Sequence, residues 1–82
     1  MENNIRLEEF IELILIGHDI EFQFEQEKYS ITNIDSESTC LTNITVKSMQ
    51  FSPKSEACIR KLIVKEKRLE EVADQFIIDM IF

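Results

Sequence analysis

The stretch Gly17-His18-Asp19-Ile20-Glu21-Phe22-Gln23-Phe24 is where the chain changes its hydrophobic period, and that change sets the fold class. Ile20, Phe22 and Phe24 alternate with Asp19, Glu21, Gln23 and Glu25, the period-two pattern of a strand with one buried face. Upstream, Leu7, Phe10, Ile11 and Ile14 follow i, i+3, i+4, i+7 spacing, which predicts a helix over 5–16. Asn3 or Asn4 is expected to cap it, and Glu8 and Glu9 lie near its positive end. Gly17, the single glycine of the chain, follows the last periodic residue, where a helix reverses through positive φ. The ridge Leu13-Ile14-Leu15-Ile16 is apolar nearly all round, as a multiply buried or interface segment would be.

Downstream, a second strand is expected at about 28–34, with Tyr29 and Ile31 inward. Glu25-Gln26-Glu27 lacks Asn-Gly, which points to a wide connection. Asp35-Ser36-Glu37-Ser38 is a turn cluster. A third strand over 39–47 would place Cys40, Thr42, Ile44 and Val46 on one face and Leu41 on the other. Ser52-Pro53 reads as a helix start, giving a second helix over 53–63 with Ile59, Leu62 and Ile63 inward. After a break near 64–66, Leu69, Val72, Ala73, Phe76, Ile77 and Met80 predict a third helix over 67–79; one bent helix from 53 to 80 is the alternative. The expected fold is a single α+β domain, residues 1–82, of order αβββαα: a three-stranded antiparallel sheet with its helices on one face.

Hydrophobic residues make up 44% of the 82 positions, enough for a folded but thin core that a partner surface could reinforce. Nine bases against sixteen acids give −7, a sign that argues against direct binding to nucleic acid or an anionic membrane. The longest apolar run has four residues, so no membrane span is expected, and the opening MENNIRLEEF lacks the pattern of a secretory signal. Cys40 and Cys58 show no CxxC or zinc spacing and read as reduced, largely buried thiols of a cytoplasmic protein, with a disulfide as the alternative.

No catalytic constellation is legible, and no cofactor or metal is implied. His18 is the only histidine and sits in a turn; there is no phosphate loop and no nucleophile elbow. Charge is more informative. Residues 1–46 carry ten acids and two bases, whereas 54–68 carries six bases and two acids and reads as a solvated helix face that pairs with the acidic half. Along the first strand Asp19, Glu21 and Glu25 fall on one side. Alternate strand residues are roughly 6.6–7 Å apart, and neighbouring phosphates of a nucleic-acid strand are of order 6–7 Å apart. Such a row could present carboxylates to a basic groove as a phosphate backbone does. Glu9 and Glu12 on the first helix and Glu27 at the hairpin would extend it. The same alternation also serves solubility and edge protection.

The stretch 17–32, with Ile20-Glu21-Phe22 and Lys28-Tyr29-Ser30-Ile31-Thr32, resembles a group of small, mostly uncharacterised proteins of Gram-positive bacteria and their mobile elements, in which "IEFxY-NG-KxYSIT" follows a short helix. Here Glu25-Gln26 stands in place of Asn-Gly, and the tryptophan often found further on is absent. In size, acidity and element order the chain also resembles phage-encoded type II anti-CRISPR proteins, small acidic domains that occupy the DNA-binding groove of a Cas nuclease. No residue motif carries that second likeness. The expectation is therefore a non-enzymatic inhibitor or adaptor of the bacterial cytoplasm that binds a basic nucleic-acid-binding protein, a Cas nuclease being one example, through Asp19, Glu21 and Glu25, with Glu9, Glu12 and Glu27 as secondary contacts. The alternative is a self-associating module, such as a homodimer, built on the apolar 76–82 stretch and the Leu13 to Ile16 ridge.

Overall fold

The computed structural model describes residues 4–82. Helix α1 (Leu7–Leu15) leads through a turn into strands β1 (Ile20–Phe24), β2 (Glu27–Asn33), β3 (Ser38–Asn43) and β4 (Ser48–Pro53). Helix α2 (Glu56–Arg60), a small hairpin of β5 (Ile63–Val64) and β6 (Lys67–Arg68), helix α3 (Leu69–Val72), a 3₁₀ turn (Ala73–Gln75) and strand β7 (Ile77–Ile81) complete it. The fold is α+β, as the period switch implies, but the sheet is larger than expected. Five antiparallel strands lie in the order β4-β3-β2-β1-β7, so the last strand returns beside the first.

Gly17 acts as its position implies. With φ +111° it lets the Gly17 N–H donate to the Ile14 carbonyl at 3.1 Å and the His18 N–H donate to the Leu13 carbonyl at 2.9 Å, a Schellman closure of α1. The expected N-cap differs: Arg6 holds that position without a side-chain cap, Asn4 donates instead to the Asp74 carbonyl, and Asn3 lies outside the described residues.

Register puts Ile20, Phe22, Phe24, Tyr29, Ile31 and Leu41 on one sheet face. There they form a single core with Phe10, Ile11 and Ile14 of α1 and with Ile59, Leu69, Val72 and Phe76. Phe22 stacks on Phe76 with ring centroids 4.2 Å apart, and Phe10 meets both rings edge-on at 5.5 Å. Each buried ring of this kind contributes about 1.5–3 kcal/mol from apolar burial, before its pairing is counted.

Five expectations are corrected. The third helix is the largest: the spacing from Leu69 to Phe76 does bury those residues, but through one helical turn and a 3₁₀ turn, after which 77–81 extends along β1. Short Ile-rich runs suit helix and strand alike, and the open edge of β1 supplied hydrogen bonds that a lone helix end lacks. The long third strand is a hairpin instead. Asn43 Oδ1 accepts from the Thr45 and Val46 N–H groups at 3.0 and 3.1 Å, which turns the chain and leaves Ile44 and Val46 exposed. Leu41 lies on the face opposite Cys40 and Thr42, as the alternation implies, and that face is the one turned to the core. Ser52-Pro53 closes edge strand β4, where a missing N–H costs no ladder bond; α2 is capped by Ser55, whose Oγ accepts from the Cys58 N–H at 3.3 Å. Ile63, expected inward, is exposed. Lastly, the β1–β2 connection is tight: Glu25 and Gln26 both take positive φ, 49° and 67°, in a two-residue turn.

Candidate functional site

The six acids read from the sequence do not form one row. Asp19 precedes β1 and its Oδ1 accepts from the Asn33 backbone N–H at 2.8 Å and side-chain amide at 3.1 Å, so it pins the start of β1 to the end of β2. Glu21 lies on the sheet face away from the core, and Glu25 is carried out of the strand by the turn. Glu27 shares the core side of the sheet, opposite Phe24. Glu9 and Glu12 are exposed on α1, in the helical layer. The side chains of Glu9, Glu12, Glu21 and Glu25 make no hydrogen bond or ion pair among the described residues, whereas those of Asp19 and Glu27 are engaged. The basic stretch pairs mostly within its own half: Arg60 with Glu56 at 3.0 Å and Glu70 at 3.7 Å, and Arg68 with Glu70 at 3.5 Å. Among the described residues, Lys65 forms the ion pair that joins this stretch to the acidic half, at Glu27.

All the helices bury their apolar residues in one cluster, so the other sheet face has no covering layer among the described residues. Its middle is mostly polar, with Glu21, Gln23, Lys28, Ser30, Thr32 and Thr42 around the buried Cys40. Apolar side chains flank it on the outer strands: Met49 and Phe51 of β4 are 60% and 67% exposed, and Ile77 and Met80 of β7 are 52% and 50% exposed. Gln23 donates to Asp79 at 2.9 Å across the β1–β7 pair. The end of β7 is fastened to the end of α1, because the Phe82 N–H donates to the Asp19 carbonyl at 2.8 Å and His18 Nδ1 donates to the Phe82 carbonyl at 2.9 Å. His18 is thus a turn clamp. Met49 and Phe51 fall between the strand expected to end at 47 and the helix expected from 53, so sequence reasoning missed them, although Ser48-Met49-Gln50-Phe51-Ser52 does alternate.

A second feature lies on the core side of the sheet, beyond the end of the hydrophobic cluster. A cleft of about 340 Å³ opens between β2, β3, β4 and the β5–β6 hairpin, with Glu27, Tyr29, Asn43 and Lys65 among its walls. Glu27 Oε1 accepts from Asn43 Nδ2 at 2.9 Å and from the Tyr29 hydroxyl at 3.2 Å; Lys65 Nζ stands 3.6 Å from Oε2. The Asn43 amide, helped by the Tyr29 hydroxyl and the Lys65 charge, holds the Glu27 carboxyl below its ordinary range against partial burial. Burial, with the Glu27 carboxylate next, pushes the Tyr29 phenol up to about 12. Gln50 ties the hairpin to β4: its side chain donates to the Ile63 carbonyl at 2.6 Å and accepts from the Ile63 N–H at 2.8 Å.

Cys40 is buried and Cys58 half-buried, both free. Among the described residues no group of three His, Cys, Asp or Glu side chains converges, and no helix is long and apolar enough to cross a membrane. No protein-family model, no curated protein and no solved structure matches the chain.

Proposed function

We propose that this chain is a non-enzymatic, acidic protein-binding module that docks a basic protein through the uncovered face of its sheet. The observation that carries the reading is that face itself: a helix-free surface with Met49 and Phe51 on one flank, Ile77 and Met80 on the other, and Glu21 between them. Exposed apolar side chains on both flanks offer a partner burial, and polar residues between them offer specificity. A charge of −7 opposes close approach of a second copy and favours a partner of opposite sign. A basic nucleic-acid-binding protein, such as a Cas nuclease in a bacterial cell, fits that sign, and occupying its nucleic-acid groove would make the chain an inhibitor of the anti-CRISPR kind. Glu21 and Glu25 are the acids on the β1 side of this surface that remain free for a partner; Glu9 and Glu12 would engage only a partner that also reaches the helical layer.

The test pairs two variants, Met49→Ser/Phe51→Ser and Glu21→Gln/Glu25→Gln, in competition with duplex DNA for a purified Cas nuclease. Both should weaken competition. The parent should also lose affinity as salt rises from about 50 to 300 mM, since the Debye length falls below roughly 10 Å. Competition unaffected by either pair, with both variants folded by circular dichroism, would remove the sheet face from consideration. Self-association is the second reading, favoured by the exposed apolar side chains of Ile77, Met80, Ile81 and Phe82 at the end of the chain. It predicts a dimer that high salt strengthens and that Ile77→Asp/Met80→Asp dissolves, which light scattering would read.

A further inference from the structure

We propose that the cleft beside Glu27 is a receptor for one cationic side chain, an arginine or lysine of a partner polypeptide. It lies on the opposite side of the sheet from the uncovered face and does not depend on that face being a docking surface. Its volume of about 340 Å³ accommodates a single long side chain.

The polar groups around it are unequal. Asn43 is spent: its Oδ1 accepts from two backbone N–H groups, and its Nδ2 donates to Glu27. Gln50 is held by Ile63 at both ends of its amide. The Tyr29 hydroxyl is given to Glu27 Oε1. What remains is Glu27 Oε2, which accepts no hydrogen bond among the described residues. Lys65 Nζ stands 3.6 Å from it, beyond hydrogen-bond range. The carboxylate is thus held in place through one oxygen and offers the other. That is the preorganisation a charge-assisted contact to a guanidinium or ammonium group requires.

The apolar walls fit the same occupant. Val46 and Ile63 line the cleft, are 58% and 45% exposed, and stand outside the core. They would flank the methylene stem of an arginine or lysine, whose head reaches Glu27. Lys65 sits at a turn residue with φ 52°, its side chain partly exposed, and holds the cationic position through a 3.6 Å ion pair that is longer than a hydrogen bond. It is a resident stand-in that an incoming guanidinium, able to make paired hydrogen bonds, would displace.

The experiment titrates the full chain with n-butylguanidinium and with its neutral analogue n-butylurea, reading the Asn43 side-chain amide and the Lys65 backbone amide by NMR. Saturable shifts are expected with the cation and not with the urea. Glu27→Gln should weaken the cation by about tenfold or more. Lys65→Met, which removes the stand-in and keeps the stem, should tighten it several-fold. The two variants move in opposite directions, so a fold defect in Glu27→Gln leaves Lys65→Met and the urea comparison to decide. Equal shifts with both probes, or no saturation in either the parent or Lys65→Met, would overturn the assignment.

Discussion

Tyr29 offers a direct reading of the Glu27 network, because it is the only tyrosine in a chain without tryptophan. Its ring lies against Phe22 at a centroid distance of 5.3 Å and is 2% exposed, while its hydroxyl donates to Glu27. Ionising it would bury a phenolate, break that hydrogen bond and place two negative charges together. Burial and the carboxylate therefore push the phenol from 10.0 to about 12. Since the native value is the higher one, the folded chain keeps a proton that the unfolded chain releases. The associated stability is whole below pH 10 and is lost as pH rises toward 12. Two pH units correspond to a loss of about 2.7 kcal/mol, a large share of the roughly 5–15 kcal/mol that holds a small domain. An alkaline titration followed by tyrosinate absorbance and by circular dichroism should show the two signals moving together, with a midpoint well above that of free tyrosine. Glu27→Gln should lower the Tyr29 midpoint only in part, because burial is the larger cause. Tyrosinate appearing at the free-tyrosine midpoint while the dichroism stays native would show that the hydroxyl is neither buried nor bonded as described.

Two other perturbations test the backbone. Glu25→Asn/Gln26→Gly should raise stability by about 1–2 kcal/mol, since both residues hold positive φ at 49° and 67° without being glycine or asparagine; for a domain of this size each kcal/mol is worth roughly 4–8 °C in Tm. A thermal melt no higher than the parent's would contradict a strained two-residue turn. Gly17→Ala should destabilise by about 1–2 kcal/mol from backbone strain alone, because φ is +111° yet a Cβ there meets nothing within 4 Å; a neutral substitution would mean that the chain reverses differently after α1.

The parts of the fold that were legible in the sequence are those in which local pattern and tertiary burial coincide. The α1 stripe of Phe10, Ile11 and Ile14, the Gly17 reversal and the alternation of Ile20, Phe22 and Phe24 needed no knowledge of distant segments. From Cys40 onward the local signals diverge from the outcome. Ser52-Pro53 carries a helix-start signature but serves as a strand end, and the stripe from Leu69 to Met80 is split between two turns and a strand. What decided these cases was non-local: β4 had β3 to pair with, and β7 found the free edge of β1, 56 positions away between Gln23 and Asp79. The candidate acids divide the same way. Alternation placed Glu21 on the outer face, but nothing local announces that Asp19 serves Asn33, or that Glu27 is held by Asn43 and Tyr29.

The free edge of β7 bears on which surface a partner can use. An unpaired strand invites addition of another strand, yet β7 carries two features that discourage it. Its pairing with β1 shifts register between Glu21 and Phe22, which bends and twists the strand away from a flat template. Asp79 sits in its middle, held by Gln23, so that a second β7 paired about that point would bring two carboxylates together. Neither feature touches the face of the sheet. Phe51 and Met49 on β4 and Ile77 and Met80 on β7 project from that face, where no hydrogen-bond ladder is needed to cover them. A surface that guards its edge and carries apolar side chains on both flanks of its face fits the side-chain docking proposed above better than strand exchange, and this is why the sheet face, not β7 alone, is the surface to mutate first.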